Sequence, residues 1–575
     1  MLETKWNILE DDETDYGFEN KIHPIVRKVL KHKGIIDTAD IEEFLSLKPK
    51  KTYDPYLLKN MHAAVALINS AIKQRKSIWI YGDYDVDGIS SIALLMQFLR
   101  NFTDQLNYYI PLRSEEGYGL NCEAISEIKE KGGELIITVD CGSTSIKEVE
   151  LAKTLGMEII VTDHHNLSLE APECLIINPK QLDCSYPFKG LCGCGIAFKL
   201  AQALQKALDA PKRILNDLLD LVALATVADV VALVDENRTL MKYGLKNINS
   251  VTRPGLKYLI QAINLHEKEI SSTQIGFVLA PYFNASGRID DAKAGVELLL
   301  TTDVQRIEAL ATHLMECNQE RKNIQDQGLE LCKDKVEKFH RDDLFLVVDS
   351  ENTHEGVIGI IAGRIRDSYY RPTLIISTSS EEGILKGSGR SIDGIDIFEE
   401  MKSCSDLFIK FGGHKNACGF SLKRENLGLL RERLNMKAKK IMEENPEIFI
   451  KKITVYGELK PMDMTDQMVE ELKRVEPYGM GNEKPCFLIR QLKLNGNAQP
   501  IRMGKKQEHL KLIGAPHDHS VKTQIQAVGF GMAEQFVDKL GCPEIIDLVG
   551  FPNVNEWNGN KTVQFMIQDM KKNIS

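Results

Sequence analysis

The chain has 575 residues, 43% of them hydrophobic and 27% charged, with a formal net charge of −10 at pH 7. That length exceeds one ordinary domain and implies three or four; the acidic balance speaks against coating nucleic acid by a bulk positive field, though not against a local basic groove. No stretch reaches the roughly 18 uncharged apolar residues of a membrane span. The start, Met1-Leu2-Glu3-Thr4-Lys5, lacks a basic-then-apolar leader, and twelve cysteines without repeated spacing read as reduced thiols. A cytoplasmic protein with no membrane partner is expected.

Residues 1–55 are polar and poorly periodic and read as an N-terminal extension, closed by the Asp54-Pro55 break before a helix at Met61 to Lys73. From Ser77 to about Asn178 short apolar segments alternate with helical ones. Strands are predicted at Ile78–Tyr81, Tyr108–Ile110, Leu135–Val139, Glu158–Thr162 and Cys174–Ile177. This pattern predicts a largely parallel, doubly wound α/β sheet within a domain over 56–240. Helical sequence follows, with a connector over 241–340 whose last part, Asp303 to Phe339, has no proline and reads as one long helix. A second α/β domain over 341–440 opens at Leu344 to Val348 and continues through a helix at Val357 to Tyr370 and a strand at Thr373 to Ser377. Residues 450–575 hold five or six β-like segments split by Gly, Pro and Asn turns, which suits a small OB-type barrel.

The chemistry concentrates at the ends of the first strands. Asp83, Asp85 and Asp87 lie on one turn after Tyr81-Gly82, Asp140 follows Val139, and Asp163-His164-His165 follows Thr162. Three carboxylates on one short turn repel unless a cation lies among them, and in a parallel sheet the carboxyl ends of the strands open on one crevice. A metal site is therefore predicted. Asp229, inside the apolar run Leu218 to Val234, is either the partner of a buried arginine, a cap, or a further ligand, since a buried charge needs one of these. Aspartates plus histidine without thiolate suit Mn²⁺ or Mg²⁺ rather than structural zinc. Two ions sharing a bridging carboxylate is the arrangement of in-line phosphoester hydrolysis. Cys174, Cys184, Cys192 and Cys194 lack the usual knuckle spacing, and small core residues are the preferred reading.

Three Gly/Arg segments lie beyond the sheet domain: Ser286-Gly287-Arg288, Gly387-Ser388-Gly389-Arg390-Ser391 and Phe411-Gly412-Gly413-His414-Lys415. Each alone is a turn with a surface arginine; together they read as grips for a phosphate backbone. Arg113 adds another candidate. His354, ahead of a helix, offers a phosphate or base contact at a positive helix end or else a plain cap. No Gly-x(4)-Gly-Lys-[Ser/Thr] occurs, so an ATP-driven reading lacks its phosphate loop.

With these residues, the chain resembles the DHH phosphoesterase superfamily and, more narrowly, its RecJ family of bacterial single-strand-specific exonucleases. The resemblance rests on Tyr81 to Gly88, Val139 to Gly142, Asp163 to His165, Ala228-Asp229, Ser286 to Arg288, His354 to Gly359 and Phe411 to His414, in that order. It implies a parallel-sheet DHH domain, a long connecting helix, a second α/β domain of DHHA1 type and an OB-fold that feeds the strand. It also implies two Mn²⁺ or Mg²⁺ ions held by Asp83, Asp85, Asp87, Asp140, His164 and Asp229, with Asp140 bridging and Asp163 orienting His164. His165 would bind the scissile phosphate or assist proton transfer. Arg113, Arg288, Ser388 and Arg390 would bracket the terminal phosphate, with His354 and His414 as further substrate contacts. The implied activity is 5′→3′ hydrolysis of single-stranded DNA to nucleoside 5′-monophosphates in recombination and repair. A helicase and a single-strand-binding protein are expected partners that no segment names, and a monomer is the simplest expectation. A DHH enzyme of small substrates would need no barrel, and a non-catalytic scaffold would be expected to lose ligands.

Overall fold

The segment Ile78-Trp79-Ile80-Tyr81 is apolar on both faces, a pattern used by strands covered by helices on both sides. In the computed structural model it forms the fully buried strand Ile78–Gly82. This strand pairs in parallel with Leu106–Tyr109 on one side and Leu135–Val139 on the other. Glu158–Thr162 and Leu175–Ile177 extend the sheet, again in parallel. Numbered along the chain, the strand order is 2-1-3-4-5, so the winding reverses between the first and third strands. The crevice at such a reversal is where doubly wound sheets bind ligands, and Asp83 and Asp140 immediately follow those two strands.

The structure describes residues 4–10, 22–113, 116–117, 119–250, 253–351, 353–379, 381–495, 500–517, 524–557 and 560–573; part of the segment Met1 to Lys5, read above for a leader, lies outside them. Two compact units emerge, one formed chiefly by Thr52–Lys451 and the other by Thr4–Lys51 with Lys452–Ser575. Among the described residues no helix is long and apolar enough to cross a membrane.

In the first unit the connecting helix runs over Val304–Phe339, 36 residues capped by the Asp303 side chain and about 54 Å long at 1.5 Å per residue. Its buried positions, among them Ile307, Ala311, Leu314, Gln325, Cys332 and Val336, recur at three- and four-residue intervals and form one stripe. That stripe packs on the helix Ala280–Ile289 and on the helix Glu355–Tyr369 of the second lobe. The second lobe has a five-stranded sheet in the order Phe408–His414, Ala417–Lys423, Ile384–Arg390, Thr373–Thr378, Leu346–Asp349. Only the last pair is parallel.

The three Gly/Arg segments are not turns. Ser286 to Arg288 belongs to the helix Ala280–Ile289, and the other two lie mainly in the strands Ile384–Arg390 and Phe408–His414. The reason is a period of two: Leu385, Gly387 and Gly389 face inward while Lys386, Ser388 and Arg390 face the other way. Glycine is needed on the inner face because a Cβ at Gly387 would meet the Phe420 ring at 2.1 Å and one at Gly389 would meet Cys418 Sγ at 2.6 Å.

In the second unit five strands pair in a closed ring. In chain order these are Cys486–Leu494, His509–Pro516, Ile525–Gly529, Ile545–Trp557 and Asn560–Lys572. The circuit is 1-2-3-5-4 and back to 1, a five-stranded barrel of OB type. The strand Thr4–Ile8 joins this sheet beside Lys451–Glu458. The helix Pro24–His32 buries Ile25, Val26, Val29 and Leu30 in the same core as Phe487, Leu512 and Phe565. Residues at the amino end thus supply part of the barrel unit's core.

Candidate metal centre and anion pocket

Asp83 and Asp140 follow adjacent parallel strands. Asp85 caps the helix Val86–Leu99, accepting from the N–H groups of Asp87 and Gly88. Asp140 holds a left-handed backbone at φ 60°, a conformation that costs energy outside glycine and concentrates at functional sites. Asp87 is buried, and its two carboxylate oxygens accept from Gly193 N at 2.6 Å and Cys194 N at 2.7 Å. These are the first amides of the helix Gly193–Ala207, whose positive end fixes the carboxylate. Gly193 approaches so closely that a Cβ there would lie 2.6 Å from Asp140 Cβ and 2.7 Å from its Oδ1.

Three overlapping groups of donor atoms result, each within 4.8 Å: Asp83 with Asp85 and Asp140, Asp87 with His164 and Asp229, and Asp140 with His164 and His165. Asp140 belongs to two of them and so does His164. His164 Nε2 lies 3.1 Å from Asp140 Oδ1, 3.6 Å from Asp229 Oδ2 and 3.9 Å from Asp87 Oδ2. Among the described residues, Asp83 Oδ1, His164 Nε2 and Asp229 Oδ2 are buried without a hydrogen-bond partner, a costly state for polar atoms. Of the acids in Leu218 to Val234, Asp220 is the one that pairs with an arginine, holding Arg253 through both oxygens. Asp229 is aimed at the cluster instead.

Burial, followed by the charges of neighbouring aspartates, pushes the Asp83 and Asp140 carboxyls well above their ordinary range. The same two causes raise Asp87 to about 7 and Asp229 to about 9. Burial and the charge of His165 bring His164 down to about 3, so its ring is neutral near pH 7. A neutral imidazole among mutually repelling oxygens is a donor set for hard or borderline divalent cations, and the residues fit two of them.

Asp163 acts differently from its expected role. Its Oδ1 accepts from the backbone N–H of His164 and bonds the His165 ring at Nδ1, 2.7 Å away, while Oδ2 accepts from Ser143 N. It therefore orients the ring of His165, not that of His164. Although burial opposes it, the bond to His165 holds Asp163 well below the usual carboxylate range. The same bond raises His165 against the opposing effect of burial.

Within the same unit, Arg113, Arg288, Ser388 and Arg390 all line one cavity of about 490 Å³. Gly287 lets the helix Ala280–Ile289 lie on the aspartate turn, where a Cβ would come within 2.3 Å of Tyr84 O. Tyr84, between Asp83 and Asp85, carries Arg113 over its ring at 5.2 Å, which joins the carboxylate cluster to the cavity. Arg288 donates to Gly356 O; burial, then Arg113, Arg390 and Arg321, lower it to about 10, so it stays charged. Gly356 and Gly359 give the helix Glu355–Tyr369 a bare face against Arg288 and Arg390. Like charges gathered in this way call for an anion.

His354 caps that helix by accepting from Gly356 N and does not line the cavity. His414 Nδ1 accepts from Asn416 N; it lies outside the lining residues, although burial and the charge of Arg390 both lower its pKa. Phe411, from the third Gly/Arg segment, does line the cavity, and so do Lys386 and Lys410, which went unnoticed in the sequence. The alternation Lys386, Ser388, Arg390 was the available signal. Cys184, Cys192 and Cys194 are buried, and with Cys174 they form no metal-spaced group among the described residues.

A 2-1-3-4-5 parallel sheet with carboxylates and histidines at its strand ends defines a DHH-type phosphoesterase. Residues 77–226 match the DHH family, N-terminal domain, residues 342–440 the DHHA1 domain and residues 455–569 the RecJ OB domain. The chain is 36% identical to the single-stranded-DNA-specific exonuclease RecJ of Bacillus subtilis (strain 168), over 99% of this chain and 71% of that one. It is 32% identical to the protein of the same name in Escherichia coli (strain K12), over 96% of each. The crystal structure of RecJ in complex with Mn²⁺ from Thermus thermophilus superposes with a TM-score of 0.83 at 27% identity, covering 100% of this chain and 80% of that one. The chain belongs to the RecJ family.

Proposed function

We propose that this protein hydrolyses single-stranded DNA from its 5′ end, releasing nucleoside 5′-monophosphates. One observation carries the reading: two overlapping groups of buried and half-buried oxygen and imidazole donors share Asp140, beside a cavity lined by three arginines. Relatives named as single-stranded-DNA-specific exonucleases, and a structural relative containing Mn²⁺, support it. Asp83, Asp85, Asp87, Asp140, His164 and Asp229 would hold two Mn²⁺ or Mg²⁺ ions, with Asp140 between them. When bound, such ions supply Lewis acidity at the phosphoryl oxygens and a nucleophilic water at neutral pH.

The protein's own groups do the rest. Arg113, Arg288 and Arg390, with Ser388, bind the 5′-terminal phosphate by charge-assisted bonds and so place the first phosphodiester at the carboxylate cluster. That fixed spacing accounts for both polarity and the single-nucleotide step. His165, held through Nδ1 by Asp163, contacts the scissile phosphate or moves a proton there. Phe411, stacked on Phe398 and Phe408, gives this end of the cavity a rigid apolar wall. Proteins that expose single strands, a helicase and a single-strand-binding protein, are the partners this reading implies, with the enzyme a cytoplasmic monomer; twelve free cysteines suit a reducing compartment.

Digestion of single-stranded DNA labelled at either end, with Mn²⁺, tests the proposal. Immediate release of labelled mononucleotide from the 5′ end alone is expected. Intact long strands beside cleaved dinucleotides would replace it with a small-substrate phosphodiesterase.

A further inference from the structure

Away from the carboxylate cluster, a third kind of donor set joins the connecting helix to the helix that carries Arg288. His313 and Cys317 are one turn apart on Val304–Phe339, a spacing that stacks two side chains on one helical face. Asp290 is the residue that ends the helix Ala280–Ile289, two positions after Arg288. The three donor atoms lie within 4.8 Å of one another. Both other groups converge on His313 Nε2: Asp290 Oδ2 is 3.2 Å away and Cys317 Sγ 3.6 Å away.

Those separations can be compared with a tetrahedral ion. With metal–nitrogen and metal–oxygen distances of about 2.0 Å and metal–sulfur of about 2.3 Å, tetrahedral angles place N and O about 3.3 Å apart and S and N about 3.5 Å apart. Both spacings to His313 Nε2 fall within about 0.1 Å of these values, and the third, between Asp290 and Cys317, is within 4.8 Å, so an ion needs only a side-chain adjustment to enter. Thiolate, imidazole and carboxylate together favour a borderline cation of the zinc type over Mg²⁺ or Mn²⁺. Cys317 is buried and Asp290 exposed, which gives the ion a route from solvent and the sulfur a shielded seat. Burial and the charge of Asp290 keep the free thiol protonated, raising it to about 11, so uptake would release a proton.

We infer that Asp290, His313 and Cys317 form a second, soft metal site for a zinc-class divalent ion, with solvent as fourth ligand, that ties the end of the Arg288 helix to the connecting helix. The ion is structural in this position: it fixes the segment leading out of Arg288 and takes no part in hydrolysis.

The test uses the full-length protein with its carboxylate cluster saturated by Mg²⁺, titrated with Co²⁺ as a spectroscopic probe. One equivalent should produce a near-ultraviolet thiolate-to-cobalt absorption, displaced by Zn²⁺, with release of a proton. Cys317→Ser should abolish the band and His313→Gln should shift and weaken it, both retaining hydrolysis of single-stranded DNA. Because other buried thiols lie beside the carboxylate cluster, Cys192→Ser serves as the control and should leave the band intact. No band in the wild type, or a band that survives Cys317→Ser, would overturn the inference. Failure of the nuclease reading alone would leave this spectroscopic result standing.

Discussion

Replacing Gly193 by alanine perturbs the centre without changing any donor residue. The new Cβ would lie 2.6 Å from Asp140 Cβ, 2.7 Å from Oδ1 and 2.8 Å from Cγ, whereas ordinary carbon contacts are about 3.5–4.0 Å. Something must move by about 1 Å. If Asp140 yields, the carboxylate shared by two donor groups is displaced. If the helix Gly193–Ala207 withdraws, its bonds of 2.6 and 2.7 Å to Asp87 are stretched. Either escape spoils the site, and a displacement of about 1 Å in a reacting group costs about 100-fold in rate. Folding should suffer only the usual overpacking penalty of about 1–3 kcal/mol. Gly195→Ala is the internal control: its Cβ would find Leu191 at 3.3 Å and Cys192 at 3.8 Å, contacts that small shifts relieve. Steady-state digestion of 5′-labelled single strands with Mn²⁺, alongside thermal unfolding, measures both effects. Gly193→Ala within about twofold of wild type would refute the reasoning, because the displacement would then not reach the reacting atoms.

Other consequences are as direct. Asp87 and Asp229 are raised to about 7 and about 9 from an ordinary 3.8, so between about pH 4 and 9 the folded metal-free protein binds more protons than the unfolded one and loses stability as pH rises. The gap in melting temperature between chelator-treated and Mn²⁺-loaded protein should therefore widen from pH 5 to 8; a constant gap would count against a cation-balanced cluster. Arg288→Ala should lower kcat/KM on 5′-phosphorylated strands by about 10- to 100-fold, the loss of one or two charge-assisted bonds, and Arg288→Lys should recover only part. Equal losses on strands lacking the phosphate would remove the arginine from the terminal pocket. Asp163→Asn removes the carboxylate charge behind the bond that raises His165, so the limb of the pH–rate profile that belongs to this histidine should move to lower pH. Leu30→Ala, fully buried in the barrel unit's core, should destabilise that unit by about 2–5 kcal/mol, visible as earlier proteolysis there.

The doubly wound sheet and its strand-end carboxylates were legible because both follow from local pattern: a buried parallel strand is a short apolar run, and an acid directly after it falls at the crevice. The connecting helix was equally plain: the stretch Asp303 to Phe339 differs from the observed helix Val304–Phe339 only by Asp303, which is its cap. Three things were not visible. Glycine in Gly387 to Ser391 reads as a turn by composition, while tertiary packing against Phe420 and Cys418 requires glycine within a strand. Asp163 could not be assigned to one of its two neighbouring histidines without the ring positions. The helix Pro24–His32 has a short apolar face, Ile25, Val26, Val29 and Leu30, whose partner is a barrel more than 400 residues away in the chain. No local signal reports such a partner.

Two divalent ions should share Asp140. Anomalous diffraction from crystals grown with Mn²⁺, for the wild type and for Asp140→Ala, addresses it most directly. The account predicts two peaks about 3.5–4 Å apart on either side of the Asp140 carboxylate, with at least one peak and the hydrolysis of single-stranded DNA lost in the variant. A single ion, or two ions that do not touch Asp140 while the variant still digests DNA, would contradict it.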